Sequence, residues 1–382
     1  LNDYTPTHYN ESTILEFIIQ NAEVSRSKLA KLTNLTKSSI SDITKTLIEK
    51  SLVYELNTGM ASVSGGRKPI YLSFNNECAL VIAIEIGKDY IHSSLSYING
   101  ELVNKLSYHS LLVTKDTLVM LLTKIISDLT SKIPQTPYGI LGIGMAIHGI
   151  VKDDTVLFTP YSDIDSIPLK DLLAKEIPYP IVLINEANAG ALGEYTFKTP
   201  SENLVNINIQ DGIGAGIVEN GKLFIGANGT AGEIGHTTLY PDGILCPCGN
   251  HGCLEHYAST RILLKKLLDS DHKPHPDISV IVKKWHQGDA HTQKILKHNA
   301  KLLSIGINNI VLMYDPEVVI INSEIYRGIP ELIDEIKKHL TGKNTKNLAI
   351  KNTSLKGNST LYGCVSIVAQ SFLKINNLKF TV

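Results

Sequence analysis

The chain has 382 residues, 43% of them hydrophobic and 19% charged, with a mean hydropathy of +0.04 and a formal net charge of −1. That length allows two to three domains with real cores, and the composition excludes disorder, collagen and coiled coil. Five cysteines make an unsuitable disulfide framework for so long a chain, and the balanced charge total carries no sign of nucleic acid.

The charge is unevenly placed. Residues 25–72 hold eight basic residues against three acidic ones, a local net charge of +5, while residues 73–382 hold 28 basic against 30 acidic. Within the N-terminal segment, Ile14, Leu15, Phe17, Ile18 and Ile19 predict a first amphipathic helix. Ser25 is placed to cap a second, with Leu29 and Leu32 facing inward. Asn34-Leu35 makes a turn, and Thr36 caps a third helix whose Ile40, Ile43 and Leu47 fall at i, i+3 and i+7. The opposite face offers Lys37, Ser38, Ser39, Ser41, Thr44 and Lys45: short hydroxyls for base edges and cations for phosphates. Two extended stretches, around Leu52–Leu56 and Ile70–Leu72, flank a glycine-rich basic loop carrying Arg67 and Lys68. Helices, turn and wing together predict a winged helix-turn-helix over 1–72 that binds double-stranded DNA. A +5 domain neutralises few phosphates, so a homodimer on a palindromic operator is expected, or a tetramer built from it.

The uncharged run from Ile133 to Val151 is long enough for a bilayer but is interrupted by Pro134, Pro137, Gly139, Gly142, Gly144 and Gly149. It reads as strands and turns, and with no basic-then-apolar leader the expectation is a cytoplasmic protein without membrane contact. Further on, the strand Ile181–Ile184 leads into Asn185 and Glu186. Cys246, Cys248 and Cys253 then fall within eight residues, downstream of His236. Three thiolates and an imidazole complete the tetrahedral set of a structural zinc ion. His251 and His256 compete for the fourth position, the first as a loop residue and the second on a helix after Glu255. Cys78 and Cys364 read as buried small hydrophobes.

The runs Ala231-Gly-Glu-Ile-Gly-His236 and Cys246-Pro-Cys-Gly-Asn-His-Gly-Cys253-Leu-Glu255 resemble the signature of the ROK family of repressors and sugar kinases. Asn185-Glu-Ala-Asn-Ala-Gly190 resembles that family's sugar-binding segment, and Asp315–Ile321 resembles the strand leading to its nucleotide site. The resemblance implies two actin-like, ribonuclease H-like α/β lobes, over 73–193 and 194–360, with a C-terminal helix at about 361–382 packing back on the first. It also implies that Asn185, Glu186, Glu233, His236 and Glu255 hold sugar hydroxyls in the interlobe cleft. Carboxylates suit that task because they accept two vicinal hydroxyls at once. His236 is expected to bind zinc through one ring nitrogen and face the cleft with the other.

Kinases of this family open the first lobe with Asp-x-Gly-Gly-Thr, whereas this chain reads Glu85-Ile86-Gly87-Lys88-Asp89. Asp211 stands where a phosphate-binding hydroxyl is expected, Asn322-Ser323-Glu324 replaces a glycine run, and Glu186 is one methylene longer than the catalytic Asp. The anion repels ATP and the longer base is misplaced, so neither ATP binding nor enzymatic activity is expected. The Asn-Glu-Ala-Asn-Ala-Gly-Ala form is similar to that of the family's xylose-responsive repressors in Gram-positive bacteria, which implies D-xylose as effector. A pyranose pentose lacks the C6 hydroxyl, leaving room for the longer Glu186. The short linker Ser73-Phe74-Asn75-Asn76 is expected to pass sugar-induced closure to the DNA domain. Two readings compete: an active sugar kinase with a DNA-binding appendage, and a repressor answering to another sugar or a protein partner.

Overall fold

The computed structural model describes residues 4–56, 70–160, 164–165, 167–267 and 277–380. The first helix, α1 (Glu11–Gln20), buries Ile14, Leu15, Ile18 and Ile19, and its Glu11 carboxylate accepts from the Thr7 and His8 amides. A short strand β1 (Val24–Ser25) precedes α2 (Arg26–Thr33), which Ser25 caps by accepting from the Lys28 amide. Asn34 turns the chain at φ 55°, and Thr36 caps α3 (Lys37–Glu49) by accepting from the Ser39 amide. Strands β2 (Val53–Leu56) and β3 (Tyr71–Phe74) pair antiparallel, and β1 adds to the far edge of β3. This is the helix and strand order of a winged helix.

Three details differ from the sequence reading. Leu32 is 43% exposed, because a helix of only two turns buries one stripe, and Leu29 fills it. Thr44 is buried, its hydroxyl taken by Arg26 Nε at 2.9 Å, so it leaves the outward face of α3. Ser73 and Phe74 belong to β3, which leaves only residues 75–79 as the connection.

Two five-stranded sheets follow. The first contains β4 (Leu80–Ile86), β5 (Tyr90–Tyr97), β6 (Leu102–His109), β7 (Ile140–Ile147) and β10 (Ile181–Asn185). Between them lie α4 (Lys115–Thr130), with a Thr114–Thr117 capping box, the hairpin β8 (Ile150–Lys152) and β9 (Thr155–Phe158), and α5 (Leu169–Leu173). The second sheet contains β11 (Leu204–Ile209), β12 (Ile213–Glu219), β13 (Lys222–Leu223), β14 (Val318–Asn322) and β15 (Ala349–Asn352). Numbered within its own sheet, each set runs 3-2-1-4-5, antiparallel among the first three strands and parallel to the last two. The same topology twice in one chain is the two-lobed actin-like duplication. The near-continuous apolar runs of β4, β7 and β14, broken only by Glu85 and Asn322 near the carboxyl ends of β4 and β14, fit this, since central strands covered on both faces read that way.

Helix α6 (Glu186–Phe197) leaves the first sheet and packs on β11 and β12 of the second. The second sheet carries α7 (Glu255–Ala258), α8 (Thr260–Leu267), α9 (Ile278–His286), α10 (Ala290–Tyr314), α11 (Glu324–Gly328) and α12 (Glu331–His339). The last helix, α13 (Ser359–Leu373), starts and ends earlier than the expected 361–382 and packs on β4 and β7 and along α6. The two helices touch through glycines: a Cβ on Gly363 would stand 1.8 Å from the Ala189 carbonyl oxygen, and one on Gly193 would stand 2.2 Å from that of Ser359.

One apolar core runs from the winged helix into this helix pair. It joins Ile14, Leu29 and Leu47 through Phe74 to Phe197, Phe372 and Phe380. Phe380 stacks on Phe197 at 5.4 Å and lies 6.0 Å from Phe74, while Phe372 meets Tyr138 at 4.9 Å and Tyr4 at 5.8 Å. The Tyr138 hydroxyl donates to the Lys50 carbonyl just past α3. No helix among the described residues is long and apolar enough to cross a membrane.

Candidate functional site

The carboxyl ends of β4, β7 and β10 face the carboxyl end of β11 across a cleft of about 350 Å³. Ligands collect at such edges of parallel sheets because the loops beyond them offer polar groups the sheet does not use. Glu186, Asn185, Glu233, His236 and Glu255 all line this cleft.

Asn185 closes β10 and caps α6, its Oδ1 accepting from the amides of Ala187 and Asn188 at 2.9 Å. Its Nδ2 donates to the Gly149 carbonyl and to Glu186 Oε2, both at 2.8 Å. With both amide hydrogens and the oxygen engaged, Asn185 fixes Glu186 and the first turn of α6. Glu186 is buried, which raises its carboxyl above the usual range against the opposing charge of His148. Its backbone carbonyl accepts from Asn208 Nδ2 of β11 at 3.2 Å.

The second-lobe wall depends on Gly232. It has φ +89°, and a Cβ there would lie 1.8 Å from the Ala215 carbonyl oxygen of β12, so only glycine lets the segment cross the strand. The crossing delivers Glu233 and His236 to the cleft. Burial, with Glu186 and Glu255 nearby, pushes the Glu233 carboxyl up to about 7. His236 turns Nδ1 toward Cys246 Sγ at 3.4 Å and Nε2 toward Glu233 Oε2 at 3.7 Å. Glu255, at the start of α7, is buried with Oε1 3.8 Å from His236 Nδ1.

Donor atoms of His236, Cys246, Cys248 and Cys253 all lie within 4.8 Å of one another, and Cys248 Sγ is 3.8 Å from Cys253 Sγ. Zinc–sulfur bonds of about 2.3 Å at tetrahedral angles put sulfurs about 3.8 Å apart, so the donor set fits one such ion. Of the competing histidines, His251 is exposed, and His256 groups with Cys246 and Glu255 instead. Cys78 and Cys364 are buried.

The first-lobe wall holds a cluster the sequence reading missed. Tyr90 Oη stands 2.9 Å from His148 Nε2 and 3.2 Å from Glu85 Oε1, and it donates across the cleft to Gln210 Oε1 at 2.8 Å. His148 Nε2 also lies 3.3 Å from Glu85 Oε1. Burial works against charge on both partners. Even so, Glu186, Glu85 and Asp211 bring His148 up to about 9, and His148 holds Glu85 below the usual carboxylate range. The Tyr90 ring covers Gly87, where a Cβ would come within 2.1 Å of it. A polar residue directly after the apolar strand Ile140–Ile147 was the available signal for His148.

On the winged helix, Thr36, Lys37, Ser38, Ser41 and Lys45 are exposed and Ser39 is half-buried, one open face on α3. Arg67 and Lys68 lie outside the described residues.

A family model described as the ROK family matches residues 81–371. The xylose repressor of Bacillus subtilis (strain 168) is 34% identical over 375 residues, covering 95% of this chain and 96% of the repressor. Among solved structures, a ROK family transcriptional regulator described as a homolog of the E. coli MLC protein shares the fold at a TM-score of 0.77. It is 23% identical and covers 96% of this chain and 98% of its own. A ROK family glucokinase from Streptomyces griseus, solved with glucose and AMPPNP, reaches a TM-score of 0.67 at 25% identity, over 76% of this chain and 99% of its own.

Proposed function

Because the chain belongs to the ROK family, we propose that it is a sugar-responsive transcriptional repressor whose effector is D-xylose. A homodimer holds a palindromic operator through α3 and the wing, and sugar in the cleft releases it. The observation that carries this reading is the course of α6. It begins at Glu186 in the cleft and ends at Phe197, in the aromatic junction that holds the winged helix. A change of closure at the first end moves the second, and with it the spacing of two recognition helices.

In the cleft, Glu186, Glu233 and Glu255 accept sugar hydroxyls and His236 fixes orientation, with Asn185 positioning Glu186. Zinc, when bound by His236, Cys246, Cys248 and Cys253, fixes the His236 ring as structural support. The dimer reading is supported by Ile305, Leu312 and Met313, which fall on one face of α10 and are exposed. On DNA, Thr36, Ser38, Ser39 and Ser41 meet base edges, and Lys37 and Lys45, with Arg67 and Lys68 of the wing, meet phosphates.

Phosphoryl transfer is not part of this reading. Asp211 lines the cleft where ATP phosphates would need a neutral or cationic partner, and the Tyr90 ring covers Gly87. Calorimetric titration with D-xylose and D-glucose, alone and with Mg-ATP, tests the assignment. Xylose is expected to bind more tightly than glucose with no sugar phosphate formed, and Glu186→Asp is expected to narrow the preference. Equal binding of both sugars, or steady turnover of ATP, would sink it.

A further inference from the structure

The ligand contacts assigned so far come from Glu186, where α6 leaves the first sheet, and from the second lobe; the body of the first sheet supplies none. Closure of two lobes on a ligand requires contacts with both, since a ligand shifts an equilibrium only by its differential affinity for the two states. The first-lobe wall carries the unassigned cluster of Glu85, Tyr90 and His148.

We propose that His148 is a further ligand-binding residue of the first lobe, on the wall formed by β4, β5 and β7, donating from Nδ1 to a hydroxyl oxygen of the monosaccharide whose hydrogen Glu186 accepts. This rests on the reading of the cleft as a sugar site. His148 lines the cleft, and its hydrogen bonds to protein run through Nε2 alone, to Tyr90 and Glu85; Nδ1 has no partner among the described residues. Glu85, at the end of β4, and Tyr90, at the start of β5, set the ring from two directions. The groups facing it are Glu85, Tyr90 and His92 from the first sheet, Glu186 from α6 and Asp211 beyond β11, a set dominated by carboxylates. The imidazole held among them is the charged form, with both nitrogens protonated and both acting as donors.

A vicinal hydroxyl both donates and accepts, so an imidazolium N–H on one side and a carboxylate on the other satisfy it fully. The same carboxylates disfavour an anionic ligand, so the class selected is a neutral sugar, not a sugar phosphate. The Tyr90 bond to Gln210 Oε1 joins this arm to the second lobe, so a ligand drawn to His148 is read by both lobes.

Calorimetry with D-xylose on the wild type and on His148→Ala tests the assignment, with circular dichroism reporting that the variant is folded. Loss of a hydrogen bond to a charged donor is expected to weaken xylose by about tenfold or more. A smaller loss overturns the proposal and leaves the sugar-site reading standing. A wild type that binds no pentose or hexose overturns that reading, and this one with it. If His148→Ala does not fold, imidazole ¹H–¹⁵N spectra of the wild type decide. The His148 Nδ1 resonance is expected to be protonated and to move as xylose saturates the cleft; an unmoved resonance overturns the proposal.

Discussion

Glu11 shows how much one side chain can hold in this chain. It is fully buried, accepts from Thr7 and His8, and pairs with Lys50 at 2.7 Å, tying the start of α1 to the end of α3. Burial opposes its charge, but Lys50 and Thr7 win and hold the carboxyl below its ordinary value of 4.5. The lowered value means the pair contributes fully above pH 4.5 and is lost as the pH falls through the folded-state value. Glu11→Gln is expected to cost about 3 kcal/mol at pH 7, the low end for a broken buried pair because Lys50 still reaches water. Urea unfolding at pH 7 and below pH 4 checks this: the gap between variant and wild type should shrink in acid. Of the residues proposed for the cleft and the metal, the three thiols and His236 were legible because ligand chemistry restricts residue type and spacing. Glu85, Tyr90 and His148 were not read as a cluster, because three strands bring them together and only His148, directly after an apolar strand, carries a local mark.

At the scale of elements, α6 and α13 are the pair on which the rest depends. They cross so closely that the backbone of each fills the space a side chain would need, at Gly193 and at Gly363. Thr196 and Ser366 hydroxyls meet at 2.6 Å along the same contact, and buried Glu194 accepts from Ser359 at 2.8 Å. Gly363→Ala therefore forces two helices apart where neither can yield, and a loss of about 3 kcal/mol is expected, the upper range for overpacking. Thermal unfolding measures it, and a melting temperature within a degree of wild type would refute the close-packed account. Helix α3 was readable from its cap and its i, i+3, i+7 stripe, both local facts. The same periodicity misassigned Leu32 and Thr44, because a stripe does not tell which flank a neighbouring element covers.

For the whole molecule, a net charge of only −1 conceals a basic N-terminal segment and an acidic cleft joined by one apolar core. The doubled 3-2-1-4-5 topology was not visible as a sequence repeat, since two sheets of one topology need share only an apolar pattern. Nor was the junction, because Phe74, Phe197 and Phe380 come from three distant parts of the chain. That junction makes its own prediction. Phe380→Ala is expected to keep both sugar and operator binding but to reduce the factor by which one alters the other, as measured in operator titrations with and without sugar. An unchanged factor would place the coupling elsewhere.

The central claim is that cleft and winged helix bias one equilibrium in opposite directions. The most direct test is a fluorescence anisotropy titration of a palindromic operator with the full chain, with and without saturating D-xylose, at fixed salt. Coupling of this kind is typically about 1–3 kcal/mol, so xylose should weaken operator binding about 5- to 150-fold. Operator affinity that is unchanged or tightened by xylose would contradict the account.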